Sequence, residues 1–268
     1  MPASVIGLSE GGLKPPYDPG SGGSGGGSIT FTDGTNTVTG ATQLSVTGGT
    51  IGGATPNATL TIEDSASFTY WNFLDANANY SFSNLNLQAT VPGSLISTWA
   101  GVRGNISHNS GKWYFEFKAP AIDGVNGVIF GVANASWALT SNALGAVDAN
   151  GAGFQASGNV WYDGVAVLPG NSADYTAGEI AACAVDQGAG LIWFWSPATS
   201  QWNASASANP ATGTGGFAIT SLAAGTLFPA LCVFNGSSAD IGVINAGSSA
   251  FKRPGGLPAG FTAWGTPL

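Results

Sequence analysis

Trp99-Ala-Gly-Val-Arg-Gly-Asn-Ile-Ser-His-Asn-Ser-Gly-Lys-Trp-Tyr-Phe-Glu-Phe117 decides the fold of this chain. It reads as an approach loop, a Ser-Gly-Lys turn, and a strand in which large aromatic and charged residues alternate. Trp113, Phe115 and Phe117 fall on one face, and Tyr114, Glu116 and Lys118 on the other. That alternation is the signature of a half-buried strand, one face in the core and one in water.

The same grammar continues downstream. Strand candidates recur at Leu85 to Ala89, Lys112 to Lys118, Gly127 to Ala133, Val160 to Tyr162, Glu179 to Val185, Leu191 to Trp195, Leu227 to Phe234 and Ala239 to Asn245. Gly, Asn and Pro turns separate them, and no long window holds an uninterrupted helical apolar period. Many short strands without long helices indicate an all-β sandwich or barrel.

Upstream the character changes twice. Residues 1 to 28 form a Pro/Gly/Ser-rich arm and linker. Lys14-Pro-Pro-Tyr-Asp-Pro19 is extended by its prolines, and Gly20 to Ser28 has linker composition. Pro15, Pro16 and Tyr17 are the candidate anchoring residues of this arm. Residues 29 to 63 hold short Thr/apolar strands (Ile29-Thr-Phe-Thr, Ala58-Thr-Leu-Thr-Ile62) with Gly-rich turns. This unit has too few large side chains to bury a core alone. It is expected to anchor the protein or pair between copies in a homo-oligomer, with a trimer as the first expectation. The remaining residues, 64 to 268, read as one β domain.

Composition narrows the function. Charged residues are 7% of the chain against roughly 25% in ordinary soluble domains. Solubility therefore rests on Gly, Ser, Thr and Asn, a composition typical of extracellular or particle-surface β proteins. A net charge of −8 with only six scattered basic residues argues against nucleic-acid binding and against an anionic membrane surface. No apolar run of about 18 residues exists, so no membrane span is expected. The N-terminus does not read as a secretory signal.

Cys183 and Cys232 lie in apolar runs and read as buried, reduced thiols, although spacing alone leaves a bridge open. The single histidine, His108, reads as an exposed turn residue before a strand. Glu63-Asp64, Glu116, Asp163, Asp174, Glu179 and Asp186 are the carboxylates from which a catalytic pair would be drawn. Most sit at turns, where carboxylates cap backbone groups. Asp148-Ala-Asn-Gly151 begins like a calcium loop but lacks the later ligands, and reads as a turn. No catalytic site, metal or cofactor is expected. Among nine tryptophans, Trp137 and Trp202 are placed in loops beside Ser and Asn. With Asn150 and Asn203 they form the candidate ligand-binding set, suited to stacking on a sugar with hydrogen bonds around it.

A collinear set of segments resembles the SPRY family. Gly111-Lys-Trp-Tyr-Phe-Glu-Phe, Val128-Ile-Phe-Gly-Val-Ala133, Leu144-Gly145, Gly151-Ala-Gly-Phe154, Asn159-Val-Trp-Tyr-Asp-Gly164 and Tyr175 to Asp186 come first. Gly190-Leu-Ile-Trp-Phe-Trp195, Leu227-Phe-Pro-Ala-Leu-Cys-Val-Phe234 and Pro258 to Trp264 follow in the same order. The form most resembled is the bacterial and bacteriophage one. Trp195-Ser-Pro-Ala-Thr-Ser-Gln-Trp-Asn203 departs from it by replacing the usual Asn-Gly turn with a longer loop. The Thr/Gly-rich stretch at 29 to 63 looks like the small modules of phage structural proteins. The resemblance implies a SPRY-like antiparallel β-sandwich of the concanavalin-like jelly-roll type. It also implies a non-enzymatic binding or scaffolding role.

The combined expectation is a virion structural protein on a particle surface. It would attach to other virion proteins through its arm and display the sandwich as decoration, spike or fibre. The alternative is a receptor-binding protein that recognises a host-surface polysaccharide.

Overall fold

The computed structural model describes residues 68–93, 98–124, 127–170, 174–234 and 238–265. The arm, the 29 to 63 module and Glu63-Asp64 lie outside the described residues, as do Pro15, Pro16 and Tyr17.

Among the described residues, sixteen strands follow one another with almost no helix. The first six are β1 (Trp71–Ala76), β2 (Ser81–Ser83), β3 (Gln88–Val91), β4 (Ala100–Gly104), β5 (Lys112–Ala121) and β6 (Val128–Ala133). Next come β7 (Gly151–Gln155), β8 (Val160–Tyr162), β9 (Val165–Leu168), β10 (Ile180–Asp186) and β11 (Leu191–Ser196). The last are β12 (Gln201–Trp202), β13 (Phe217–Ala218), β14 (Phe228–Val233), β15 (Asp240–Asn245) and β16 (Thr262–Ala263).

They make two sheets. One runs β1-β4-β14-β6-β7-β8-β9, and the other β12-β11-β10-β5-β15-β3-β2, with β13 on β11 and β16 on β5. All pairings are antiparallel except β16 with β5, which is parallel. The expected antiparallel β-sandwich is therefore the architecture found, with that single exception.

Period-2 alternation explains the layers. Phe115 and Phe117 of β5, Cys183 and Val185 of β10, and Ile192 and Phe194 of β11 face the other sheet. Phe130 and Val132 of β6 and Leu231 and Val233 of β14 meet them from across. Phe117 stacks on Phe130 with centroids 4.6 Å apart, and Tyr175 closes the aromatic group edge-on. Each such fully buried side chain stabilises the fold by about 1.5–3 kcal/mol.

The expected exposed face of β5 is exposed at Lys112 and Lys118 but not between them. Tyr114 and Glu116 are both buried, because the chain folds back over that sheet. Tyr114 packs with Ala182, Ala184, Trp193, Trp195, Trp202 and Phe261 in a second apolar layer. A third layer covers the other sheet's outer face, built from Ile129, Ala133, Trp137, Leu144, Ala230 and Cys232. The sandwich is thus buried on three levels. Aromatic residues on both parities of β5 and β11 were the trace of this in the sequence.

Leu85 was expected to open a strand that in fact begins at Gln88. Asn84, Leu85 and Asn86 all adopt positive φ, so they form the turn between β2 and β3.

Candidate functional site

The four residues expected to bind a ligand occupy three structural settings. Trp137 lies in the connection after β6, 2% exposed, and its ring covers Gly101 of β4. A methyl group on Gly101 would come within 2.5 Å of the indole, so the ring seats only against a glycine. The Trp137 carbonyl accepts Arg103 Nη1 at 2.8 Å, and Arg103 in turn makes a bidentate pair with Asp75 of β1. Trp137 therefore plugs the outer face of one sheet.

Trp202 is not in a loop. It forms β12, pairs with Trp195 and is 7% exposed. Its ring lies edge-on to Trp195 and Tyr114. Both expectations of an open indole face are corrected by this burial, since each ring fills an outer face of the sandwich.

Asn203 is likewise consumed by the fold. Its backbone is left-handed, with φ of 47°. Its Oδ1 accepts Phe194 N at 2.8 Å, while Nδ2 donates to the carbonyls of Ile192 and Gly215. The side chain thereby replaces a missing strand along the edge of β11. Asn150 alone stays half-exposed. It accepts Asn134 Nδ2 at 3.1 Å and Asn134 N at its carbonyl, and its own N–H donates to Asp148 Oδ1. That last bond makes Asp148 the turn residue its spacing predicted.

His108, Glu116, Asp186 and Glu179, among the candidate acid–base residues, are also tied down, whereas Asp163 stays exposed in its turn. His108 is not an exposed turn residue but 4% exposed. Its ring lies flat on Trp113, centroids 3.4 Å apart, and Nε2–H donates to the Trp264 carbonyl at 2.8 Å. Burial lowers its pKa below the usual imidazole value, and the carbonyl bond opposes this in part. The turn is covered because residues near Trp264 return across it.

Glu116 accepts the N–H groups of Lys252 and Arg253 and the Tyr114 hydroxyl. Asp186 pairs with Lys112 Nζ at 2.9 Å and caps Ala189 N. Glu179 accepts both the amide and the hydroxyl of Thr176. Cys183 and Cys232 are free thiols on different sheets, and burial raises both of their pKa values.

Two features escaped the sequence reading. Arg253 lies between Trp195 and Trp202, its guanidinium carbon 4.8 Å from each ring centroid. The second is Asp240, fully buried at the start of β15. It shares parity with Gly242 and Ile244, and Ile244 faces the core. A carboxylate at an inward parity was the available signal for it.

The geometry thus presents a rigid, self-sealed sandwich whose ionisable groups are largely engaged in holding loops. Solved structures that resemble it include the PSpry domain of TRIM65, at 17% identity and TM-score 0.49, covering 66% of this chain and 89% of that one. The SPRY domain of human HERC1 matches at 17% identity and TM-score 0.48, covering 67% of this chain and 99% of that one. Stonustoxin matches at 14% identity and TM-score 0.39, covering 67% of this chain but 26% of that one. No family model and no curated protein matches the sequence. Two of these solved structures are SPRY domains; the β-sandwich of this chain stands on its own two sheets.

Proposed function

We propose that the chain is a non-enzymatic structural component of a phage-like particle, with its SPRY-like sandwich of the bacterial or phage type displayed outward. The observation that carries this reading is the sealing of both outer faces by the domain's own loops. A displayed domain must hold its shape without a neighbour, and here tryptophans, Arg253 and Glu116 do so from within. The 7% charge content and the Gly/Ser linker ahead of a Thr/Gly-rich segment add to it. Attachment falls to that segment and the arm before it, with a homo-oligomer as the assembly. Repeated copies would turn weak contacts into strong ones through effective concentration.

Immuno-electron microscopy of purified particles, with antibody against residues 68 to 268, tests the proposal. Label at a fixed position on particles is the expected result. Its position separates decoration of the capsid from a tail-borne receptor-binding role. Antigen free in the medium, with none on particles, overturns it.

A further inference from the structure

Asp240 has no exposed surface, and its two carboxyl oxygens have different fates. Oδ1 accepts Asp123 N at 2.6 Å. Oδ2 is enclosed and has no hydrogen-bond partner. The contact runs in both directions, because Asp123 Oδ2 accepts Ser238 N at 2.8 Å, two residues before Asp240. The two aspartates therefore join the turn after β5 to the approach to β15.

Three oxygens converge on one glycine at this junction. A methyl group on Gly127 would lie 2.8 Å from the Phe234 carbonyl oxygen, 3.0 Å from that of Asp123 and 3.4 Å from Asp240 Oδ2. The Phe234 carbonyl receives nothing from Gly127, whose N–H turns to Gly124 instead. An enclosed carboxylate facing acceptors needs a positive partner or a proton. Among the described residues the ion pairs are Arg103–Asp75 and Lys112–Asp186, and neither reaches it. The other ionisable groups near Asp240 are Asp123 and the phenols of Tyr80 and Tyr175. Those phenols donate to the carbonyls of Ala100, and of Val128 and Phe154, so they offer Asp240 nothing. A hard cation would need six or more ligands around it. A proton needs only the acceptors already present.

We propose that Asp240 is held as the neutral acid, with Oδ2–H directed at the backbone carbonyls beside Gly127, so that the Asp123–Asp240 junction is a pH-sensitive fastening at one end of the sandwich. Loss of that proton places a carboxylate against two carbonyl oxygens and a second carboxylate, a repulsion that the bond from Asp123 N, which favours the charged form, offsets only in part. The position of the group agrees: burial, with the Asp123 charge adding to it and the Asp123 N–H bond opposing it, pushes the Asp240 pKa up to about 7.

Carboxyl carbon and amide chemical shifts of the full chain, followed from pH 4 to 9, test this. Asp240 is expected to titrate near pH 7, with the Asp123 and Ser238 amides moving at the same midpoint. Asp240→Asn supplies an N–H to the same carbonyls and is expected to abolish that midpoint at both amides. Asp123→Asn removes the neighbouring charge and is expected to lower it. Titration of Asp240 near 4, with ordinary carboxyls, overturns the proposal. So does a rise in Tm at pH 8 on adding calcium that Asp240→Asn abolishes, which would make the site a cation site. The wild-type titration decides the matter even where a variant fails to fold.

Discussion

Arg253 and Glu116 are both buried on the same face of one sheet, yet they form no ion pair. The Tyr114 hydroxyl stands between them. It accepts from Arg253 Nε at 3.3 Å and donates to Glu116 Oε1 at 3.0 Å. Glu116 meanwhile takes the backbone N–H groups of residues 252 and 253, and the guanidinium takes the carbonyls of Pro254 and Gly256. The segment that carries Arg253 is thus held by its backbone and its side chain at once.

Tyr114→Phe keeps the ring and removes this relay. Hydrogen bonds to charged groups are worth about 1.5–3 kcal/mol. A loss of that size in urea unfolding is expected, and a change below about 0.5 kcal/mol would show that the relay is idle.

Arg253→Lys keeps the charge but loses the planar group that lies between Trp195 and Trp202. An ammonium neither stacks on two rings nor reaches two carbonyls in a plane. Stability is expected to fall by about 1–3 kcal/mol, with a change in tryptophan fluorescence of the folded state. Equal stability would mean that charge alone matters at this position.

His108 is neutral in the fold, and its pKa is lowered from 6.5. The unfolded chain therefore binds a proton at a higher pH than the folded one. By linkage, the contribution of His108 is complete above about pH 6.5 and is lost as pH falls through the folded value. Asp240 acts in the opposite sense, since a raised carboxyl makes stability fall from about pH 4 up to pH 7. His108→Gln is expected to remove the first slope and Asp240→Asn the second, in denaturant midpoints measured across pH. A His108→Gln profile parallel to wild type would contradict the neutral assignment.

Gly101→Ala drives a methyl group into the Trp137 ring and to 3.1 Å from the Leu139 backbone. Overpacking of this kind costs about 1–3 kcal/mol. Trp137→Leu alone opens a cavity on the same face. The double variant is expected to be more stable than the sum of the two single losses, because the smaller side chain makes room for the methyl. Strict additivity would show that the two sites do not share one space.

Cys183 and Cys232 are buried on separate sheets, with thiols shifted upward by burial. Neither is expected to react with a thiol reagent in the native state, and both should react after denaturation. Rapid labelling of either thiol in native buffer would contradict the packing around it.

The strands with strong alternation were the legible part of this chain. Val160–Tyr162 falls where the pattern placed it, β11 and β15 differ from expectation by a residue at one end, and β10 and β14 by a residue at each end. β4 was read as an approach loop, because Ala-Gly-Val-Arg-Gly has no alternation to show. All five of its residues are nonetheless buried, under Trp137 on one side and the core on the other. Trp202 was misplaced in a loop, and Trp137, which does lie in one, is buried rather than open, for a related reason. Local sequence shows Ser and Asn around them, while the surfaces they cover are distant in the chain: Tyr114 for one and Gly101 for the other. Glu116 looked solvated because its partners, the amides of residues 252 and 253, carry no side-chain signal at all. The candidate site was legible only as a list of residue types, since its burial is set by long-range return of the chain.

The parallel pairing of β16 with β5 has a consequence for how the protein is made. Trp264, just past β16, is fully buried against Phe115, Trp113 and His108, so the middle of the sandwich is completed by residues synthesised some 150 positions after the strand they cover. During synthesis β5 must wait, one aromatic edge uncovered, until that stretch has left the ribosome. A nascent chain stopped before Phe261 would carry an exposed hydrophobic cleft and depend on chaperones. Emergence of that stretch would let the domain shut in a single late step.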